Sequence, residues 1–230
     1  MMKKATRWLA LLVLLSGCDS PLPGKPDPAD KFVAPSKVLD FPTLYAKNCA
    51  GCHGKDGKLG PAPPLNDAVF LAIAPEDELA MVIAGGRKGT EMPAFAKEQG
   101  GTLTAEQVQA LAVGLRKQWG DAAVQKKTWP PYVVPCEKGD ADHGKAVFAR
   151  VCAACHGQEG HGKDRHGPIN DPAFLTLASE QVLRRFVITG RADLGMPNCA
   201  EHEGGALTAP EVNDLVALLM SWKEKGTAKK

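Results

Sequence analysis

The sequence predicts an all-α protein made of two tandem small helical domains. Three observations support this prediction. A Cys-x-x-Cys-His motif occurs at 49–53 and again at 152–156, and the same short motifs follow each copy in the same order. Each half ends in a segment with apolar residues at helical spacing, opened by a capping signal. Proline-rich stretches lie before the first half and between the two halves.

The first 39 residues are predicted to lie outside both domains. Three basic residues precede an apolar run far shorter than the ~20 residues of a membrane span, which indicates a signal peptide over 1–17. Leu15-Ser16-Gly17-Cys18 resembles the bacterial lipobox, which implies that Cys18 becomes the lipid-bearing first residue of an exported protein. The alternative is an ordinary signal peptide, with Cys18 lost or free. Five prolines predict a semi-extended tether over 18–39.

The first domain is predicted over 40–120. A helix over 41–48 runs into the first Cys-x-x-Cys-His motif, and a loop rich in Gly and Pro follows the motif. Pro75 and the acidic residues after it suit the first turn of another helix, which is expected to end at Gly85-Gly86. The clearest helix runs from Thr104 to Trp119, because a capping box at its start precedes an apolar stripe.

A proline-rich linker is predicted over 121–142, then the second domain over 143–223 and a basic tail over 224–230. The second domain repeats the motifs of the first, and Thr208 with Glu211 repeats the capping box. The paired segments are Pro64-Leu65-Asn66-Asp67 with Pro168-Ile169-Asn170-Asp171, Val82-Ile83-Ala84-Gly85 with Val187-Ile188-Thr189-Gly190, and Met92-Pro93 with Met196-Pro197.

Each Cys-x-x-Cys-His motif is the attachment signature of c-type haem. Positions i, i+3 and i+4 share one face of a helical turn, so both thiols and the imidazole point the same way. The thiols can form thioethers with the haem vinyl groups, and the imidazole can take an axial position on iron. A single Cys-x-x-Cys could be a zinc or redox pair, but two copies in matched surroundings favour haem. We therefore predict two covalently bound haem c groups, attached through Cys49, Cys52, Cys152 and Cys155 and ligated by His53 and His156.

The motifs and their order resemble the class I cytochromes c, arranged as a tandem two-haem protein over about Asp40 to Trp222. The resemblance implies that each all-α domain wraps around one covalent haem. It also implies that a Gly and an aromatic residue precede each motif where its helix crosses the last helix of the domain. Gly144 and Phe148 match this arrangement in the second domain. In the first domain Phe41 stands in place of the Gly, which predicts a wider crossing.

The iron needs a second axial ligand, and the resemblance implies a Met-Pro loop. Met92 and Met196 lie in such loops, at matched positions after the two motifs, and are the predicted ligands. Met81 and Met220 lie within helical runs and are expected in the core instead.

Two further sets of residues leave alternatives open. His161 and His166 have no counterparts in the first domain, so a bis-His second haem is the alternative to Met ligation there. Arg87, Lys88 and Arg191 lie between a helix and the proposed methionine, where they face either haem propionates or water.

A haem with His and Met ligands has no open iron position, and Met ligation raises its potential. The sequence therefore predicts a carrier of single electrons that is not an enzyme. It would act between a redox protein donor and acceptor on the periplasmic side of a bacterial membrane, as a tethered carrier or a subunit of a respiratory complex. The alternative is a peroxidase-type two-haem enzyme with one ligand that opens. The net charge of +2 is too small to indicate nucleic acid binding.

Of the seven cysteines, four are assigned to haem and one to lipid. The remaining two, Cys136 and Cys199, are predicted to form a disulfide, because spare thiols of exported proteins tend to pair in an oxidising compartment. The alternative is two unrelated buried thiols.

Overall fold

The computed structural model describes residues 32–133 and 139–227. Within these ranges the chain is helical, with isolated backbone bridges but no strand, and the all-α prediction is confirmed. None of the helices in these ranges has the length and apolarity needed to cross a bilayer. The predicted signal peptide, Cys18 and Cys136 lie outside the described residues.

The described part of the segment before Val38 contains a short 3-10 helix, Pro35–Lys37. Residues from Val38 onward form one compact unit of eleven described helices. The first repeat comprises α1 (Phe41–Asn48), α2 (Ala50–His53), α3 (Ala68–Ile73), α4 (Glu76–Gly85) and α5 (Ala105–Trp119). A short helix α6 (Ala122–Gln125) follows it. The second repeat comprises α7 (Ala141–Val151), α8 (Ala153–His156), α9 (Pro172–Leu177), α10 (Glu180–Thr189) and α11 (Ala209–Thr227).

Both predicted capping boxes are present. The hydroxyl of Thr104 accepts from the backbone N–H of Gln107 at 3.3 Å, and the Gln107 carboxamide accepts from the Thr104 N–H at 3.0 Å. Thr208 and Glu211 make the same reciprocal pair at the start of α11. These local bonds satisfy N–H groups that no helical carbonyl can reach, which explains why sequence alone locates both helix starts.

The equivalence of α4 and α10 differs by one residue from the predicted pairing. The matched positions just after the two helices are Gly86 and Gly190, with φ of +68° and +66°. Gly85, which the sequence paired with Gly190, is instead the last residue of α4. A Cβ at either glycine would lie 2.5 Å or less from the backbone of the following Met-Pro loop. The positive φ and this close approach therefore fix the structural alignment.

The predicted core position of Met81 is wrong. Met81 is 61% exposed, because it lies about 200° around α4 from the buried Leu79 and Ile83. With Gly86 and Gly190 aligned, its counterpart in the second repeat is Arg185.

The crossing between the motif helix and the last helix uses a glycine in both repeats. In the second repeat Gly144 of α7 provides it, as predicted, since a Cβ there would lie 2.3 Å from the carbonyl oxygen of Asp214 in α11. In the first repeat the glycine lies on the other helix: Gly114 of α5 faces the ring of Phe41, which a Cβ would approach to 2.2 Å. The large residue and the glycine have thus exchanged helices.

The two repeats share apolar packing. Val69 of α3 belongs to the buried cluster of the second repeat, and Ile73 packs against the clusters of both repeats. The predicted linker is packed as well, because Val124 and Trp129 contact the second cluster and Tyr132 is buried in the first. The junction between the repeats is therefore an apolar interface within one compact unit.

Candidate haem-binding sites

Each Cys-x-x-Cys-His motif forms a helical turn directly after the helix that leads into it. In the first repeat the backbone N–H groups of Cys52 and His53 both donate to the carbonyl oxygen of Cys49, at 3.2 and 3.0 Å. The second motif makes the same two bonds, at 3.2 and 2.9 Å. The spacing thus places two thiols and an imidazole on one turn in each repeat.

The first thiol of each motif is partly buried. Burial is the main cause that raises the pKa of Cys49 to about 11 and that of Cys152 to about 12. The second thiols, of Cys52 and Cys155, are exposed.

The imidazole of His53 is held for ligation through one nitrogen. Its Nδ1 donates to the carbonyl oxygen of Pro63 at 2.8 Å, which leaves Nε2 as the basic nitrogen. Burial lowers the pKa of His53, the bond to Pro63 opposes this shift, and the charges of Arg185 and Arg87 lower the pKa further. The ring is therefore favoured in the neutral form that binds iron.

His156 occupies the equivalent place in the second repeat, but its Nδ1 is buried without a hydrogen-bond partner among the described residues. Burial lowers its pKa, and the nearby His166 and His202 lower the pKa further. The rings of His156 and His166 lie 6.0 Å apart between centroids, inclined at 64°. His161 is instead at the surface, where it bonds to Asn170 at 2.9 Å.

The two Met-Pro loops are closed in the same way. The backbone N–H of Arg87 donates to the carbonyl oxygen of Met92, and that of Arg191 donates to that of Met196, both at 3.0 Å. Gly86 and Gly190 lie directly against these loops. Both methionines are partly buried. The shared turn of each Cys-x-x-Cys-His motif, the lowered pKa of each imidazole and the matched methionine loops together fit covalent haem in each repeat. The ligation by Met92 and Met196 stays a prediction.

The basic residues near these loops differ in their partners. Arg191 makes two bonds to the carboxylate of Asp193, at 2.9 and 2.8 Å, and Lys88 is exposed. Arg87 donates to the hydroxyl of Tyr132 at 3.2 Å. Arg87 therefore points to the junction between the repeats.

Arg185, which was not among the predicted site residues, reaches from α10 into the first repeat. Its guanidinium donates to the carbonyl oxygen of Pro64 and lies 3.5 Å above the centre of the Phe70 ring. Burial lowers the pKa of Arg185 to about 10. The signal in the sequence was a pair of arginines, Arg184 and Arg185, inside the otherwise apolar middle of α10.

A cavity of about 490 Å³ is lined by residues of both repeats. Pro64, Asn66 and Asp67 come from the loop after the first motif, and Met196 and Pro197 come from the second Met-Pro loop. The proposed iron ligand of the second repeat thus lies beside the loop that follows the first motif.

Comparison with known proteins places both repeats in one family. The family described as "Cytochrome C oxidase, cbb3-type, subunit III" matches residues 38–113 and 139–219. The cbb3-type cytochrome c oxidase subunit CcoP of Rubrivivax gelatinosus is 36% identical over 80% of this chain and 54% of its own length. The subunit FixP of Bradyrhizobium diazoefficiens is 31% identical over 65% of this chain and 50% of its own length.

The chain thus spans about half the length of the curated relatives that it matches. A chain of the Kuenenia stuttgartiensis reducing HAO-like protein complex Kustc0457/Kustc0458 is 21% identical, with a TM-score of 0.47, over 83% of this chain and 99% of that chain. At that TM-score the similarity does not establish a common fold.

Proposed function

Because the chain belongs to the cytochrome c family of cbb3-type oxidase subunit III, we propose that it carries single electrons as a subunit of a membrane-bound respiratory complex. The proposal rests above all on the two Cys-x-x-Cys-His turns, each with a neutral imidazole and a matched Met-Pro loop. The printed names of the relatives, which are subunits of cbb3-type cytochrome c oxidases, support the assignment to a complex.

The chain's own residues would hold two haem c groups. Cys49 and Cys52 would attach the first, with His53 and Met92 as its axial ligands. The second site would use Cys152, Cys155, His156 and Met196. A haem c bound in this way takes up and releases one electron at its iron. The protein's part is to exclude water, to keep the imidazole neutral and to keep the methionine in place.

The bond from His53 to the Pro63 carbonyl bears directly on this role. A fixed Nδ1–H prevents rotation of the ring and makes the ligating nitrogen more basic. The backbone bonds that close both Met-Pro loops restrict the movement of the methionines. Methionines held in this way would keep a sixth ligand on each iron, which would favour electron transfer over the peroxidase-type alternative, because a peroxidase must open one iron.

The proposal also includes the location of the protein in the cell. We propose that Cys18 carries the lipid that attaches the protein to the periplasmic side of the membrane, so that 18–39 acts as the tether. Donor and acceptor would be redox proteins associated with the same membrane.

The decisive experiment combines intact mass with redox titration of the exported full-length protein. The mass should exceed that of the polypeptide by two haems, and the titration should show two one-electron steps. A Cys152→Ala/Cys155→Ala variant should keep one haem and one step, as the matched control. A mass with one haem or none in the unmodified protein would contradict the proposal. Rapid binding of carbon monoxide together with turnover of peroxide would support the enzyme alternative.

A further inference from the structure

Arg185 is a buried cation that the second repeat places in the site of the first. It is 5% exposed, lies on α10, and donates across the junction to the carbonyl oxygen of Pro64. The neighbouring carbonyl, that of Pro63, accepts the Nδ1–H of His53. Two consecutive carbonyls of one loop therefore hold the predicted iron ligand of the first repeat and a charge from the second.

The charge of Arg185 is only partly compensated. Its guanidinium stacks on Phe70 and donates to one carbonyl, while Nε is buried without a hydrogen-bond partner among the described residues. No ion pair in the described ranges includes Arg185, and the charge of Asp67 has the largest effect in favour of its charged form. A buried cation in these surroundings is costly unless an anion or an electron-rich group lies nearby.

The packing of a buried arginine over a phenylalanine ring distinguishes the first site from the second. Phe70 is 3% exposed under Arg185, whereas its counterpart in the second repeat, Phe174, is 38% exposed. The counterpart of Arg185 in the first repeat is the exposed Met81. The second site therefore receives no equivalent cation from α4, and the repeats differ in charge where their folds correspond.

We propose that Arg185 is a positioning residue through which the second repeat completes the first haem site and raises the reduction potential of the first haem. The proposal rests on the proposed function. A haem iron loses one positive charge on reduction, so a fixed buried cation favours the reduced form. The buried Nε–H of Arg185, which has no partner among the described residues, would be free to donate to an anionic group of a bound haem. Finally, Arg185 holds the loop whose previous carbonyl orients His53.

The test is spectroscopic redox titration of the holoprotein with Arg185→Met. A methionine stem fills the space over Phe70 without a buried charge, and replacement of a buried charge by an apolar residue is often neutral for stability. We expect at least a tenfold loss in the equilibrium constant for reduction of the first haem, which is 59 mV for one electron. The second haem should shift by less than a third of that. Arg185→Lys keeps the charge, so at least half of the shift in the reduction potential of the first haem should be recovered.

Arg184→Gln is the matched control. Arg184 is buried on the same helix, and it donates to the carbonyl oxygen of Pro131 and to the side chain of Asn213. In this variant the equilibrium constant for reduction of the first haem should stay within threefold of its value in the unmodified protein. Met92→Ala, which should alter only one potential, assigns the two steps to the two haems. If Arg185→Met loses a haem, Arg185→Gln provides the same comparison with a polar side chain.

Three results would overturn the proposal in protein that carries both haems. The first is an unchanged first potential in Arg185→Met. The second is an equal shift of both haems, which would indicate a general change in packing. The third is a loss in Arg185→Lys as large as in Arg185→Met. Absence of two haems from the unmodified protein is a separate outcome, because it contradicts the proposed function itself.

Discussion

Replacement of Gly144 by alanine tests whether the helix crossing in the second repeat is as tight as the structure indicates. The new Cβ would lie 2.3 Å from the carbonyl oxygen of Asp214 and 3.1 Å from Cβ of Leu218. The first contact involves backbone, so α7 or α11 must shift by about 1 Å to reach van der Waals distance.

Two effects of opposite sign decide the result. Alanine is favoured over glycine inside a helix by about 1 kcal/mol. Overpacking of a filled interior costs about 1–3 kcal/mol, and displacement of backbone lies at the upper end of that range. We therefore expect a net loss of about 1–2 kcal/mol, which lowers the melting temperature of a protein of this size by about 2–8 °C.

The assay is thermal unfolding of the holoprotein followed by circular dichroism. Gly114→Ala is the matched comparison, because its Cβ would lie 2.2, 2.6 and 2.9 Å from Cδ2, Cγ and Cβ of Phe41, with no backbone atom among these nearest contacts. A change of rotamer moves the ring but not Cβ, so this variant should also lower the melting temperature, by less than Gly144→Ala. A higher melting temperature for Gly144→Ala would show that helix propensity outweighs the crossing, and would refute the argument.

Three further predictions follow from the ligands and cysteines. Met92→Ala and Met196→Ala should each open one haem to carbon monoxide and lower one potential; an unchanged second haem in Met196→Ala would favour a histidine ligand there. Cys18→Ser should release the protein from membranes or block its processing, and unchanged attachment would place the anchor elsewhere. Alkylation of the denatured, unreduced protein should label neither Cys136 nor Cys199, and both after reduction. A bridge over this loop would contribute roughly 4 kcal/mol in the chain-entropy account, whereas two labelled thiols before reduction would exclude it.

Most of the correct predictions depend on residues that lie close together in the sequence. The capping boxes at Thr104 and Thr208 act within one helical turn, so the neighbouring residues are sufficient to identify them. The spacing of Cys-x-x-Cys-His determines which face of a turn the side chains share, and the structure reproduces this geometry.

The errors arose where a distant contact decides the outcome. Met81 was expected in the core because its neighbours are apolar, but α4 has no second surface to cover it. Arg185 carries a charge that favours the surface, yet α10 is covered on the face that meets the first repeat. The packing of Phe41 against Gly114 was also not predicted. The two residues are far apart in the sequence, and neither alone indicates that they meet at the helix crossing.

The apolar junction of the two repeats has a consequence for the kinetics of electron exchange. Val69 is buried in the core of the second repeat, and Tyr132 joins the first core while its carbonyl accepts from Gln181 of α10. A hinge movement would expose these residues to water and break the bonds of Arg184 and Arg185 to the other segments. The separation of the two sites is therefore set when the chain folds. If the two sites hold haem as proposed, exchange of an electron between them would need no diffusive encounter, and its rate should not change with solvent viscosity.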